Sequence, residues 1–227
     1  MHDPTTPQGR IITAALALAG EKPWAEVTLS QIAERGGMPL AEVLAHAASK
    51  SEILTAFTRA IDEDVLRLCP KPVQGDAPRD RLFEVVMCRF DALAPYKTAL
   101  RSIAFSGTPD FERLGALVKS QRWMLEGAGI STDGIEGGLR VAGLCSIYVS
   151  VFRTWLADTD AGHARTMAAL DRRLRRGEQA LRRLKDLERG LASISAVMAG
   201  FACGRSRDAK PDGTPMSGPS SAPPAAP

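Results

Sequence analysis

The stretch Thr28-Leu29-Ser30-Gln31-Ile32-Ala33-Glu34-Arg35-Gly36-Gly37-Met38-Pro39-Leu40-Ala41-Glu42-Val43-Leu44-Ala45-His46-Ala47-Ala48-Ser49-Lys50 decides the fold. Thr28 and Gln31 have capping-box spacing: the threonine hydroxyl accepts from the backbone three residues on, and the glutamine side chain reaches back. A short helix over residues 29–35 follows, with Leu29, Ile32 and Ala33 turned inward. Gly36-Gly37 makes the turn, because glycine takes positive φ without a steric cost. Pro39 suits the first turn of a second short helix, where a missing N–H does no harm. Ser49 is placed to cap a third helix, running from Lys50 to about Leu68 along the stripe Ile53, Leu54, Phe57, Ile61 and Val65. Two short helices about a glycine turn are the layout of a helix-turn-helix.

Working outward, residues 8–20 repeat Ile11, Ile12, Ala15, Leu16 and Ala19 at three- and four-residue steps, the period of a helix, and Gly20 suits its stop. Residues 1–7 carry two prolines and two threonines and read as a flexible arm. Residues 21–27 are a connector anchored by Trp24. Residues 8–50 are therefore expected to form a three-helix head. The proline-rich stretch from Pro70 to Pro78 marks a break. Beyond it the pattern stays helical. Leu82, Phe83, Val86, Met87, Phe90 and Leu93 line one helix, stopped by Pro95, and residues 96–105 give a shorter one. Residues 110–126 give another helix, and residues 127–138 a glycine-rich loop whose end can open the next. Residues 139–156 are apolar round most of a helix, which marks burial between layers or subunits. A last helix is expected from near Ala161 to Ala202, with His163 on the surface of its first turn. Residues 51–203 read as a helical body, and residues 204–227, rich in Gly, Pro, Ser and Ala, as a disordered tail. No region alternates with period two, so the expected fold is all-α.

Composition narrows the function. Hydrophobic residues are 44% of the chain but aromatics only 5%, so the core rests on Leu, Ala, Val and Ile. No apolar run reads as a membrane span, and the start of the chain lacks signal-peptide character; a cytoplasmic protein is expected. Cys69, Cys88, Cys145 and Cys203 make no C-x-x-C pair and read as free thiols without a structural metal. His2, His46 and His163 form no H-E-x-x-H, and neither a phosphate loop nor a G-x-S-x-G turn occurs. Gly127-Ala128-Gly129 follows a helix rather than a strand and reads as a helix–helix loop. Asp62 and Asp64 read as solvated carboxylates. The chain is expected to be neither an enzyme nor a cofactor or metal protein.

Charge is unevenly spread. The net charge is +3, yet residues 8–52 hold four basic and five acidic side chains, whereas residues 165–189 hold nine basic and four acidic. The positive charge lies away from the helix-turn-helix, the reverse of the usual nucleic-acid footprint.

The spacing of Ile32-Ala33, Gly36-Gly37, His46 and Ser49-Lys50 resembles the DNA-binding head of TetR-family repressors, over about residues 10–57. The resemblance implies a homodimer, paired through its last two helices, that binds operator DNA and releases it when a small, often apolar, effector fills the body. It places Thr28, Ser30, Leu40, His46 and Lys50 at the DNA, with Thr28 and Lys50 as phosphate contacts and His46 near the backbone. The sequence departs from the family at Leu44, commonly a tyrosine, at Ala45, often basic, and at Ala47, usually aromatic. Candidate effector-pocket residues are Phe90, Phe105, Trp123, Met124, Tyr148 and Phe152. The body also looks like the Coq9-type ubiquinone-biosynthesis proteins, through Arg81-Leu82-Phe83-Glu84-Val85-Val86-Met87, Trp155-Leu156-Ala157-Asp158-Thr159 and Thr166-Met167-Ala168-Ala169-Leu170-Asp171-Arg172-Arg173-Leu174. That alternative implies a lipid-binding accessory protein with an isoprenoid lipid in the body. Its arginine- and leucine-rich last helix would lie at the membrane surface.

Overall fold

The computed structural model describes residues 3–69, 75–106 and 111–204. Among these residues only helices form: α1 (Pro7–Glu21), α2 (Leu29–Arg35), α3 (Leu40–His46), α4 (Lys50–Leu68), α5 (Pro78–Leu93), α6 (Lys97–Ala104), α7 (Phe111–Gly127), α8 (Gly134–Ala157) and α9 (Ala164–Gly204). Short 3₁₀ turns at Trp24–Glu26 and Ala94–Tyr96 complete the described structure. The all-α expectation holds. One compact unit spans Met1–Gln179, and a second begins at Ala180, inside α9. The expected tail after 204 and most of the expected break at residues 70–78 lie outside the described residues.

The local signals explain the helix ends. Thr6 caps α1 by accepting from the Gly9 N–H at 3.1 Å, and the Thr6 N–H donates to the Asp3 carbonyl. Residues 3–6, within the expected arm, form a capping turn. Thr28 and Gln31 form both halves of the capping box on α2. The Ser49 hydroxyl accepts from the Glu52 N–H at 3.0 Å and starts α4. Pro39 is the N-cap of α3, one residue earlier than the spacing suggests. Gly37 has φ 62 and makes the turn between α2 and α3.

The core is one connected cluster running from Ile11, Trp24 and Phe57 to Phe90, Tyr148 and Trp155. Helix α4 contributes along its whole length: Ile53, Leu54 and Phe57 are buried in its first half, with the Phe57 ring against Tyr96, and Ile61, Asp62 and Val65 further along. Among the described residues, α8 is the one helix long and apolar enough to cross a membrane. This differs from the sequence expectation, because the helix starts at Gly134 rather than near residue 139. One face of α8, Val141, Leu144, Tyr148, Val151 and Trp155, is nevertheless buried in the core.

Two expectations for the body fail. Asp62 and Asp64 are buried rather than solvated. His163 lies before α9, with φ 53 and its N–H on the Asp160 carbonyl, instead of within the first turn. Asp158 explains the later start of α9: its carboxylate accepts from the Thr166 N–H at 3.0 Å and the Thr166 hydroxyl at 2.7 Å. These bonds, led by that hydroxyl, hold the Asp158 carboxyl below the ordinary range.

A candidate DNA-facing head and a stapled body

The helix-turn-helix exposes Thr28, Ser30, Leu40, Ala41, Leu44, Ala45 and His46. On α3 only Val43 is buried, with Ala47 just beyond it; Leu40 is 47% and Leu44 61% exposed. The outward face of α3 is therefore two leucines and two alanines, with His46 its one side-chain donor at the C-terminal end. Leucine and alanine offer no hydrogen bond to a base edge, but they make apolar contact with a thymine methyl group.

Each lysine and arginine of the head has an intramolecular partner. Arg10 reaches across to the glycine turn and donates to the Gly36 and Gly37 carbonyls, at 2.6 and 2.9 Å. Lys22 Nζ donates to Gln31 Oε1 at 2.6 Å. Arg35 makes a two-pronged ion pair with Glu21. Lys50 Nζ donates to the Trp24 and Val27 carbonyls, both at 2.8 Å, and lies 4.9 Å from the Trp24 ring centre. Burial pulls its pKa below the usual lysine value. The structure thus gives Lys50 a different task from the expected phosphate contact, since two of its three donors are used on backbone carbonyls. Its ammonium sits at the Val27 carbonyl, one residue before Thr28. Thr28 is an exposed residue whose hydroxyl oxygen accepts from the Gln31 N–H.

The body is joined to this head through the connector. Ser102 on α6 accepts from the Trp24 N–H at 2.9 Å and donates to the Lys22 carbonyl at 3.2 Å. Trp24 therefore touches α6 through its backbone and the start of α4 through Lys50.

Deeper in the body, four helices meet at one buried ion pair. Arg89 on α5 pairs with Asp62 on α4, and its Nε donates to the Tyr148 hydroxyl on α8 at 3.0 Å. Ser120 on α7 donates to the same Asp62 oxygen at 2.8 Å. Burial pushes the Asp62 carboxyl above the ordinary carboxylate range, against the opposing pull of Arg89 and Ser120. Sequence reasoning missed this staple. Its only signal was a pair of charged residues, Asp62 and Arg89, standing in otherwise apolar stripes.

Beside the staple is an aromatic stack. Phe90 lies between Tyr148 and Trp155, at centroid distances of 5.5 and 5.4 Å, and Phe152 stacks on both Tyr148 and Trp155. Of the candidate pocket residues, Phe90, Tyr148 and Phe152 come together here, and Met124 is buried. Phe105 and Trp123 do not join them: they are 78% and 53% exposed. Gln121, next to Ser120, is completely buried, and neither end of its amide has a partner among the described residues.

No protein-family model and no curated protein matches the chain. Solved structures do. A TetR transcriptional regulator from Nitrosomonas europaea superimposes with a TM-score of 0.61 at 21% identity, covering 76% of this chain and 98% of that one. A TetR transcriptional regulator from a Rhodococcus species gives 0.58 at 18% identity, over 75% and 94% of the two chains. A TetR variant from Acinetobacter baumannii, solved in complex with minocycline, gives 0.50 at 22% identity, over 76% and 97%. The likeness spans nearly all of each regulator, helix-turn-helix and body together: this chain has the fold of the TetR-family transcriptional regulators.

Proposed function

We propose that the protein is a TetR-like transcriptional regulator: a homodimer whose residue 8–50 head binds an operator and whose residue 51–203 body takes a small effector. The observation that supports this best is the capped α2–Gly37–α3 unit, with Thr28, Ser30, Leu40 and His46 all outward, on a fold shared with such regulators. In this reading Thr28 and Ser30 give hydroxyls to the phosphate backbone, and His46 contributes a further donor. Lys50 acts from behind, fixing the start of α4 against Val27 so that Thr28 is correctly placed. Affinity comes from apolar contact in the major groove more than from phosphate neutralisation, because the head's cations are already engaged.

The second copy is proposed to cover the outward stripe of α8. Ile135, Leu139, Ala142, Gly143, Ser146 and Val149 follow a helical period and are all exposed, on the side opposite Val141 and Tyr148. The effector is proposed to enter near the Phe90–Tyr148–Phe152 stack. The buried Gln121 amide, whose two ends have no partner among the described residues, is a polar group that such a molecule could satisfy. An apolar body with one polar edge therefore fits the site.

The test is direct. Purified protein is incubated with fragmented genomic DNA at low salt, and the retained fragments are sequenced. Enrichment of a palindromic site upstream of a gene supports the reading. Failure to retain any fragment at low salt removes gene regulation as the function.

A further inference from the structure

Cys69 and Cys88 stand on either side of the α4–α5 connection and come together in space. Cys69 is the first residue beyond α4, and Cys88 lies in the second half of α5. The two helices pack against each other. The Cys69 thiol donates to the Glu84 carbonyl oxygen at 3.9 Å. In an α-helix that carbonyl also accepts from the amide four residues on, which is Cys88. Helical side chains lean towards the N-terminus, so the Cys88 thiol is turned back over the same turn. The ionisation of Cys69 agrees with this placement. Burial first, then the neighbouring Cys88 thiol, then Glu84 and Asp91 push it up to about 12. Both cysteines are free and half-buried, so neither is sealed in the core. Cys145 lies elsewhere, on α8, and burial pushes its thiol up as well.

We infer that Cys69 and Cys88 are a redox-active dithiol, which a small disulfide converts into an intramolecular bridge tying the end of α4 to α5. The step balances without a further reagent. The Cys88 sulfur loses its proton to water and attacks one sulfur of the reagent R–S–S–R. The reagent's S–S bond breaks, and the thiolate that leaves takes up a proton. Cys69 then gives up its own proton and attacks the Cys88 sulfur of the mixed disulfide, expelling the second R–S group as a thiol. Two protein thiols are oxidised, and one reagent molecule is reduced to two thiols.

The order of attack follows from the pair itself. Because Cys69 holds its proton so firmly, Cys88 attacks first and Cys69 resolves. Once Cys88 is capped, its charge no longer opposes the ionisation of Cys69. A disulfide needs its two Cα atoms about 4.4–6.8 Å apart. Cys69 has the latitude to settle there, because it lies past the helix end with an extended backbone, φ −66 and ψ 139. Where the surroundings are reducing, a bridge of this kind is a reversible redox sensor rather than a structural link. It adds a covalent tie one residue from Arg89, whose ion pair with Asp62 already joins α5 to α4. It requires neither DNA nor an effector.

The test uses the reduced full chain without DNA, bis(2-hydroxyethyl) disulfide as the reagent, an acid quench, and mass spectrometry of the intact chain and its tryptic peptides. We expect residues 68–79 to be found linked to residues 82–89, a link that dithiothreitol reverses. Cys145→Ala/Cys203→Ala, which keeps the pair alone, should become lighter by two hydrogen atoms. Cys69→Ser should stop at the mixed disulfide, with half of the reagent retained on Cys88. Cys88→Ser should leave Cys69 unmodified over the same time. In the urea-unfolded parent the selectivity should be lost, with links among all the cysteines. A folded parent that stays reduced at both residues, that keeps the reagent on Cys88 without closing, or that gives the same mixture of links folded and unfolded would overturn the inference.

Discussion

Lys50 shows how a single side chain can fit a family pattern and still do something else. Its ammonium holds the Trp24 and Val27 carbonyls at 2.8 Å. Lys50→Met removes both bonds and keeps the stem, so it should destabilise the head by about 1–3 kcal/mol and weaken DNA binding. A phosphate contact also contributes about −0.9 to the slope of log affinity against log salt. We expect that slope to be unchanged in Lys50→Met, since Lys50 is spent inside the fold. A slope shallower by about 0.9 would show that it does reach phosphate.

The Asp62–Arg89 pair gives a second prediction at the same scale. Arg89→Met strands a buried carboxylate, which costs about 3–5 kcal/mol at neutral pH. The sign of the pH effect follows from the raised Asp62 pKa. A group whose folded pKa exceeds its unfolded value takes up its proton preferentially in the folded state. Stability then rises as pH falls through the folded pKa. Urea denaturation of Arg89→Met should therefore show part of the loss recovered on mild acidification, relative to the parent protein. A deficit that stays constant with pH would mean that Asp62 is not the stranded charge.

Among the elements, the legible ones were those with local chemistry at their ends. The capping box at Thr28, the serine cap at Ser49 and the glycine turn at Gly37 are written in adjacent residues. Helix α8 was not legible at its start because Gly134, Gly137 and Gly138 look like a loop. Gly137 is needed there for a different reason: a Cβ on it would lie 2.0 Å from the Thr132 carbonyl carbon. The delayed start of α9 depends on Asp158 bonding eight residues along the chain, which no short window reveals. Residue type alone points Phe105 and Trp123 to the candidate pocket, and only the packing shows that they are exposed.

Helix α3 carries the element-scale prediction. Its exposed residues, Leu40, Ala41, Leu44 and Ala45, can read thymine methyl groups but no donor or acceptor pattern. The enriched half-site should contain thymines within the major-groove contact, and replacing each of these with deoxyuridine removes only the methyl. We expect each such replacement to weaken binding several-fold, by about 1 kcal/mol on the scale of one buried methyl group. Undiminished binding to the uridine operator would assign specificity to another element.

For the whole molecule, the question is why so weakly charged a head could hold DNA at all. The head of residues 8–52 has net charge −1 and its four cations are engaged internally. One head alone would gain little from counterion release. Two heads joined in the proposed dimer would behave differently, because once the first is seated the second binds at a high effective concentration. Dimerisation should thus matter more here than in a strongly basic regulator. Leu139→Glu places a charge in the exposed apolar stripe of α8 without touching the core face. We expect light scattering to show its mass fall to that of the 24.3 kDa chain and operator binding to disappear, while melting remains cooperative. A variant that is monomeric yet binds the full operator as tightly as the parent would show that one head suffices, and the α8 stripe would then need another explanation.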